Sequence, residues 1–184
     1  GFPVNVGKYP MSPTLSDLDD NGTMEIILGT RTGQAFVYKG DGTVYPGWPI
    51  QMDRYVGASA SAGDVNNDGI MDVVMESRNL LYVWNKDGQL LPGFPFAILD
   101  SLVGSNSYSA PVLVDLTGDG KLEIVFCSHS DVTNAGGIIY GVKHDGTNLP
   151  GFPKTVPNWI YGAPIVADID GDSQLEIIIG EYGS

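Results

Sequence analysis

Four copies of one acidic segment divide the chain at nearly equal intervals. Each copy opens on an aspartate that follows a short apolar segment, and successive opening aspartates are 47, 51 and 53 residues apart. These aspartates are Asp17, Asp64, Asp115 and Asp168. A repeat of about 40–50 residues is the length of one propeller blade. The period therefore predicts a β-propeller segment, an all-β fold in which small sheets repeat around an axis.

Each repeat also carries the pattern of four short strands. Aliphatic or β-branched residues follow every acidic segment, and a third apolar run ends in Asp-Gly, which is a strong hairpin signal. The sequence Gly-aromatic-Pro, called the marker below, then precedes the next acidic segment; the markers occupy 1–3, 47–49, 93–95 and 151–153. We expect the marker in the fourth strand, because an outermost strand tolerates proline. The expected fold class is therefore a propeller of four-stranded antiparallel blades.

The repeats predict three complete blades and partial blades at both ends of a single unit, 1–184. Complete blades are expected at about 12–50, 59–96 and 109–154, a partial blade at 162–184, and a lone outer strand at 1–8. Such a chain has open strand edges, and open edges recruit further strands. Two interpretations follow: the chain is part of a longer propeller, or another copy completes its partial blades.

Composition excludes several classes of protein. The chain has 9 Lys and Arg against 22 Asp and Glu, a formal net charge of −13, so nucleic acid is not an expected partner. Its 25 Gly and 12 Pro argue against a helical bundle. No apolar run is long enough for a transmembrane segment. The single Cys127 lies in an apolar strand pattern and is expected in the core.

The acidic segments have the ligand chemistry of a hard metal ion. Counted from the opening aspartate, oxygen-bearing side chains stand at positions 1, 3, 5 and 9, and alternate residues of a curled loop turn inward. The position 7 carbonyl and water would complete the set of about six to eight oxygens that calcium takes. The predicted side-chain ligands are Asp17, Asp19, Asn21 and Glu25; Asp64, Asn66, Asp68 and Asp72; Asp115, Thr117, Asp119 and Glu123; and Asp168, Asp170, Asp172 and Glu176. The predicted carbonyl ligands are those of Thr23, Ile70, Lys121 and Gln174.

Calcium is the expected cofactor, with one ion per loop and up to four in all. Fourteen of the 22 acidic residues lie in the four loops, where uncompensated carboxylates repel one another. Four divalent ions carry +8 and would bring the net charge from −13 to −5. EF-hand loops are excluded, because they need an acidic position 12, which is an apolar residue in all four loops. The alternative is a set of Asp-rich turns solvated by water.

The loops and their surroundings resemble a known family. Gly162-Ala163-Pro164, followed by Asp-x-Asp-x-Asp-x-x-x-Glu and an aliphatic strand, is similar to the FG-GAP repeat of the integrin α-chain propeller and its bacterial relatives. The resemblance implies calcium ligands on one rim of the propeller. Gly-Ala-Pro is weaker at 109–111 and 12–13 and lost at 59–61, which weakens any expectation of integrin-like ligand binding. The marker favours a microbial member, and calcium loops of this kind favour an extracellular location.

Binding or assembly is a better expectation than catalysis. The sequence has no nucleophile elbow, phosphate-binding glycine loop or zinc-ligand spacing, and His129 and His144 lie beside turns or loops. We therefore expect an adhesion, scaffolding or assembly module that is not an enzyme. Two alternatives stay open: a propeller domain of a carbohydrate-active enzyme such as a polysaccharide lyase, and a self-assembling ring or filament subunit.

Aromatic residues recur before each acidic loop. Tyrosines stand seven to nine residues before each opening aspartate, and a tryptophan accompanies the last of them; the set is Tyr9, Tyr55, Tyr108, Trp159 and Tyr161. Because strands alternate in direction, these residues are expected on the face opposite the acidic loops. They could hold a sugar or a protein partner. The alternative is that each packs as a plug between adjacent blades.

Overall fold

The computed structural model describes residues 1–78, 80–98, 105–106, 109–130 and 136–183. Within these ranges the chain is all-β, and none of its residues lie in a helix. No element of the described chain is a helix that could cross a membrane.

Three antiparallel four-stranded sheets follow one another along the chain. The first sheet contains β1 (Thr14–Ser16), β2 (Glu25–Gly29), β3 (Gln34–Tyr38) and β4 (Ile50–Gln51). The second contains β5 (Ser61–Gly63), β6 (Asp72–Glu76), β7 (Leu80–Trp84) and β8 (Phe96–Ala97). The third contains β10 (Val112–Val114), β11 (Glu123–Ser130), β12 (Gly137–Val142) and β13 (Lys154–Val156), with β9 (Ser105–Asn106) also paired to β11. Each sheet is one blade in sequential strand order, which confirms the expected fold class.

The fourth blade is partial within the described residues. Its strands are β14 (Trp159–Ile160), β15 (Ile165–Ala167), β16 (Glu176–Ile178) and β17 (Glu181–Tyr182). β15 pairs with β16, and β14 pairs with β17, so the partial blade has the first two strands of the repeat. The sheets do not close into a ring.

Hydrophobic clusters lie between neighbouring blades. Between the first and second blades, the rings of Trp48 and Trp84 meet edge to face with centroids 5.6 Å apart. Between the second and third, Phe94 and Tyr140 belong to one buried cluster. A smaller cluster around Val125 and Cys127 joins the third blade to the fourth, so Cys127 is a core residue. Because both faces of the inner blades are covered, central strands such as β6 are buried along their whole length.

A backbone contact between each marker and the next blade repeats along the chain. Gly47 lies so close to the Asp87 carbonyl that a Cβ there would overlap it, and Gly93 lies equally close to the Asp145 carbonyl. Both carbonyls belong to the Asp-Gly turn between the third and fourth strands of the following blade. Gly1 lies in the same way beside the Asp-Gly turn of the first blade, where a Cβ on Gly42 would come within 3.1 Å of it. We call this contact the glycine lock; at Gly151 nothing lies within 4 Å.

Two details differ from the sequence-based expectations. The segment 1–8 contains no strand, although it takes the position of one, since Val4 and Val6 pack on Leu28, Phe36 and Tyr38 at the outer side of the first blade. The markers lie in the turn before each outer strand rather than within it. The physical reason is the positive φ of the marker glycines Gly47, Gly93 and Gly151, which is incompatible with an extended strand.

Strand direction gives the propeller segment two distinct faces. The loops between first and second strands and the turns between third and fourth strands share one face, called the acidic-loop face. Contacts confirm this, since the Tyr45 hydroxyl donates to Asp19 over 3.1 Å and Lys121 Nζ lies 3.0 Å from His144 Nε2. The remaining connections form the opposite face.

Candidate metal centres

The position 9 carboxylate anchors each acidic loop from below. It is the first residue of the second strand in each blade and accepts a hydrogen bond from the backbone N–H at position 2, as Glu25 does from Leu18 over 2.9 Å and Glu123 from Leu116 over 2.8 Å. Glu176 makes the same bond in the fourth loop. Glu25 and Glu123 are each 1% exposed, so a charged group is buried at the base of the loop.

The position 1 aspartate holds the loop in its curled shape. Both carboxylate oxygens of Asp17 accept backbone hydrogen bonds, from Asn21 over 3.0 Å and Gly22 over 2.7 Å. The other opening aspartates accept equivalent bonds from their own loops. These bonds lower the pKa of Asp115, with the Gly120 N–H the largest cause, so this carboxylate is held in its anionic form.

Left-handed backbone occurs at two positions of every loop. Position 6 has positive φ throughout, including 69° at Ser173, which adopts the conformation of its glycine counterparts. Position 4 is also left-handed, although Asp20 and Asn67 stand there in the first two loops. Asp and Asn tolerate this region better than most residues.

Carboxylates converge most closely in the first and fourth loops. Ligand atoms of Asp17, Asp19 and Glu25 lie within 4.8 Å of one another, and so do those of the equivalent set Asp168, Asp170 and Glu176. Position 3 is neutral in the other two loops, where Asn66 and Thr117 stand. In the first and fourth loops, the structure therefore brings together the carboxylates of positions 1, 3 and 9 in a group that could hold a cation.

Position 5 has a different role in the described geometry. Its side chain accepts the backbone N–H of position 7, as Asn21 does from Thr23 over 2.8 Å, Asp68 from Ile70 over 2.9 Å, and Asp119 from Lys121 over 2.9 Å. Asp172 accepts the same bond from Gln174 over 2.7 Å. The second carboxylate oxygen of Asp68 and that of Asp172 also accept a side-chain hydrogen bond, from Asn66 and Gln174 respectively, each over 2.9 Å.

One loop holds an orphaned buried oxygen. Asp72 is completely buried; its Oδ2 accepts the Val65 N–H over 3.0 Å, while Oδ1 has no hydrogen-bond partner among the described residues. Burial, with smaller contributions from Asp68 and Asp64, raises the pKa of Asp72 to about 7. A buried carboxylate oxygen with no partner needs a proton or a cation, so the donor set fits a metal at this loop.

Part of the sequence matches a known family model. Residues 17–75, which include the first two acidic loops, match the model of the FG-GAP-like repeat. These residues form an FG-GAP-like repeat. No curated protein matches the chain.

Solved structures similar to this chain share its fold at low sequence identity. The V. cholerae biofilm matrix protein Bap1 is 21% identical with a TM-score of 0.59, over 93% of this chain and 28% of that one. BBS1N, in its complex with ARL6DN, is 12% identical with a TM-score of 0.64, over 95% and 51%. BamB from Moraxella catarrhalis is 18% identical with a TM-score of 0.56, over 88% and 42%. This chain therefore spans about a quarter to a half of each of these proteins.

The recurrent aromatics that the structure describes lie on the opposite face. Tyr9 and Tyr55 line one cavity of about 330 Å³ between the first and second blades. Trp159 and Tyr161 meet edge to face with centroids 6.1 Å apart at the fourth blade. Tyr108 lies outside the described residues, as does the side chain of His129. Tyr9 is 67% exposed, so it is not a buried plug between blades.

The buried Asp72 gives the metal-free protein a defined pH dependence. Its folded pKa of about 7 exceeds the ordinary value of 3.8, so between these values the folded state holds a proton that the unfolded state has lost. The free energy of unfolding should therefore fall as pH rises from about 4 to about 7, by at most about 1.4 kcal/mol per pH unit from this one group. Urea unfolding in chelator at several pH values measures this slope. Asp72→Asn should flatten it, and an equal slope in both proteins would contradict the assignment.

Proposed function

We propose that this chain is an extracellular calcium-binding propeller module for adhesion, scaffolding or assembly. The observation that carries the proposal is the convergence of three carboxylates in loops that their own backbone already holds in shape. All the offered ligands are oxygens, which suit calcium rather than softer transition metals. Because the backbone already holds these ligands in position, an ion bound by them makes this rim of the propeller rigid. Surfaces next to a rigid rim bind partners without the entropic cost of ordering the loops.

The extracellular location rests on two supports. Loops with three or four simple oxygen ligands suit the millimolar calcium outside cells. Bap1, whose structure is similar, is a biofilm matrix protein, which is consistent with such a setting. We propose binding rather than turnover, and degradation of an acidic glycan by the purified chain would instead support the lyase alternative.

Calcium titration of the chelator-treated chain tests the metal sites. Isothermal calorimetry is expected to show up to four ions, with the first and fourth loops binding most tightly because their position 3 residue is charged. The double variant Asp19→Asn/Asp170→Asn gives both loops the neutral position 3 of the second loop. Its two tight sites should weaken by about tenfold or more.

A matched variant separates ligand loss from charge loss. Asp20→Asn removes one charge from position 4 of the first loop, as Asp19→Asn removes one from position 3, and asparagine is tolerated there in the left-handed region. It should leave calcium affinity nearly unchanged. If Asp19→Asn/Asp170→Asn bound calcium as tightly as Asp20→Asn did, the proposed ligand sets would be wrong.

The open side of the fourth blade supports assembly as a second function. Leu116, Ile139, Phe152, Leu175 and Ile177 line an apolar groove of about 390 Å³ there, together with Leu149 and Lys154. The groove is next to Gly151, whose glycine lock has no partner. Trp48 and Phe94 each pack near an aromatic residue of the next blade's third strand, and the described residues supply no such strand for Phe152. We propose that this groove takes a third strand with an Asp-Gly turn, from a longer chain or a second copy.

Solution mass tests this assembly. The 184-residue chain alone is expected to self-associate at micromolar concentration, because an apolar groove beside an unpaired strand recruits a partner. Leu175→Asp places a charge in the groove and should shift the sedimentation of the calcium-loaded chain towards monomer. A monomer of unchanged mass in both proteins would show that neither copy completes the other.

A further inference from the structure

Positive charge collects on one part of an otherwise acidic molecule. The three arginines of the chain, Arg31, Arg54 and Arg78, all stand in connections of the opposite face at the first and second blades. The acidic residue in these connections is Asp53, whose carboxylate accepts hydrogen bonds from Ser77 over 2.6 Å and Tyr82 over 3.0 Å. In a chain of net charge −13, this segregation creates a local field that attracts anions.

Each of these two blades presents a tyrosine beside an arginine. Isolated bridges join Pro10 to Thr30 and Val56 to Ser77; a tyrosine precedes the first residue of each bridge, and an arginine follows the second. In the first blade the Arg31 N–H donates to the Tyr9 carbonyl over 3.0 Å. In the second, the Arg78 guanidinium lies 6.0 Å from the centre of the Tyr55 ring. The fourth blade has Trp159 paired with Tyr182 instead, so the cationic pairs belong to the first two blades.

A shaped cavity lies between the two pairs. Tyr9, Arg31, Thr32 and Tyr55 line a space of about 330 Å³, called the Tyr–Arg cleft below, which is within the size range of small-ligand sites. Its walls are fixed, because Val56 N–H donates to Thr30 O over 3.2 Å and Met52 N–H donates to Gly33 O over 2.7 Å. No described residue forms an ion pair with Arg31.

The backbone around the cleft limits the kind of ligand that fits. The backbone N–H groups of Arg31, Gly33 and Val56 are already bonded within the chain, so the cleft offers no row of free backbone groups to a peptide strand. What it offers is the exposed ring of Tyr9, the half-buried ring of Tyr55 and the guanidinium of Arg31. Tyrosine rings stack on the apolar faces of sugars, and a guanidinium binds a carboxylate through two parallel hydrogen bonds.

We propose that the Tyr–Arg cleft binds an acidic carbohydrate, with Arg31 on a uronate carboxylate and Tyr9 and Tyr55 on sugar faces. This deepens the proposed binding function by naming its ligand class, and it rests on that function. It uses none of the acidic-loop residues, and the cleft is on the face opposite to them. Loss of calcium binding and loss of sugar binding are therefore separable outcomes.

Titration with a matched pair of sugars tests the proposal. A glucuronic acid tetrasaccharide and the neutral glucose tetrasaccharide are titrated into the calcium-saturated chain. The acidic sugar should bind with an affinity that falls as salt rises, and the neutral one at least about tenfold more weakly. Arg31→Gln should lower the affinity for the acidic sugar by about tenfold or more, and Tyr9→Ala should lower the affinity for both sugars.

Control variants and a control ligand distinguish binding in the cleft from binding elsewhere on the chain. Lys39→Gln removes a positive charge from the acidic-loop face and should leave binding unchanged. The calcium-dependent melting temperature must be the same in every variant, which shows that the metal sites and the fold are intact. Equal binding of the two sugars, or acidic-sugar binding that survives Arg31→Gln through metal bridging, would overturn the proposal. Binding of hexaglutamate with equal affinity and equal dependence on Arg31 would assign the cleft to acidic peptides instead.

Discussion

Removal of calcium is expected to lower the melting temperature by about 8–16 °C for each site that was held at a thousand times its dissociation constant. An ion that binds only the folded state contributes about 4 kcal/mol at that ratio, and a chain of this length loses about 2–4 °C per kcal/mol. The cause is local: each acidic loop gathers carboxylates around its position 9 acid, which is buried in the first three loops, and the ion offsets their repulsion. Differential scanning calorimetry with and without chelator measures the shift.

The loop variants make this result specific. Asp19→Asn/Asp170→Asn should show a smaller calcium-dependent shift than the wild type, because its two strongest sites are weakened. Asp20→Asn should keep the wild-type shift. A melting temperature that chelator leaves unmoved would mean that the loops are water-solvated turns, the alternative that the sequence left open.

Gly93→Ala is expected to destabilise the fold by about 3–4 kcal/mol. Its Cβ would overlap the Asp145 carbonyl of the next blade, and neither backbone can withdraw without opening the cluster around Phe94 and Tyr140. A positive φ of 88° adds about 1 kcal/mol to that cost for any residue with a Cβ.

Gly151→Ala is the matched control for this change. Gly151 has nearly the same φ, 85°, and nothing within 4 Å of its Cβ position, so the variant should lose only about 1–2 kcal/mol. The difference between the two variants in urea unfolding isolates the glycine lock. Equal losses would show that φ alone, and not contact between blades, requires glycine in the marker.

Sequence periodicity predicted the architecture because the residues that define the repeat each favour one kind of local structure. The opening aspartates, the Asp-Gly turns and the aliphatic second strands each recur at one spacing, and together they define a blade. The lone outer strand expected at 1–8 is absent, and the markers expected within the fourth strands precede them. Apolar residues in a segment indicate that it packs against the protein, as Val4 does. They do not determine its backbone conformation, which depends on the neighbouring blade.

The sequence located the acidic loops, but it could not show in which of them the carboxylates converge most closely or which ligand atoms are buried. Convergence of positions 1, 3 and 9 depends on how the loop curls, and the orphaned oxygen of Asp72 depends on burial by the second strand. Sequence reasoning also passed over the arginines. Arg31 and Arg78 are 47 residues apart, the same spacing as Asp17 and Asp64, and this shared period was the signal that could have paired them with the tyrosines.

The glycine lock also affects how the free energy of local opening differs from one blade to the next. Each blade is fastened only to its neighbours, so the chain behaves as a row of coupled units and the free energy of opening one blade includes the interfaces on both of its sides. The second blade has a locked neighbour on each side, whereas the strands of the fourth are largely exposed and its lock is empty. Amide hydrogens should thus exchange slowest in β6 and β7 and fastest in β15 to β17, with opening that proceeds inward from the fourth blade.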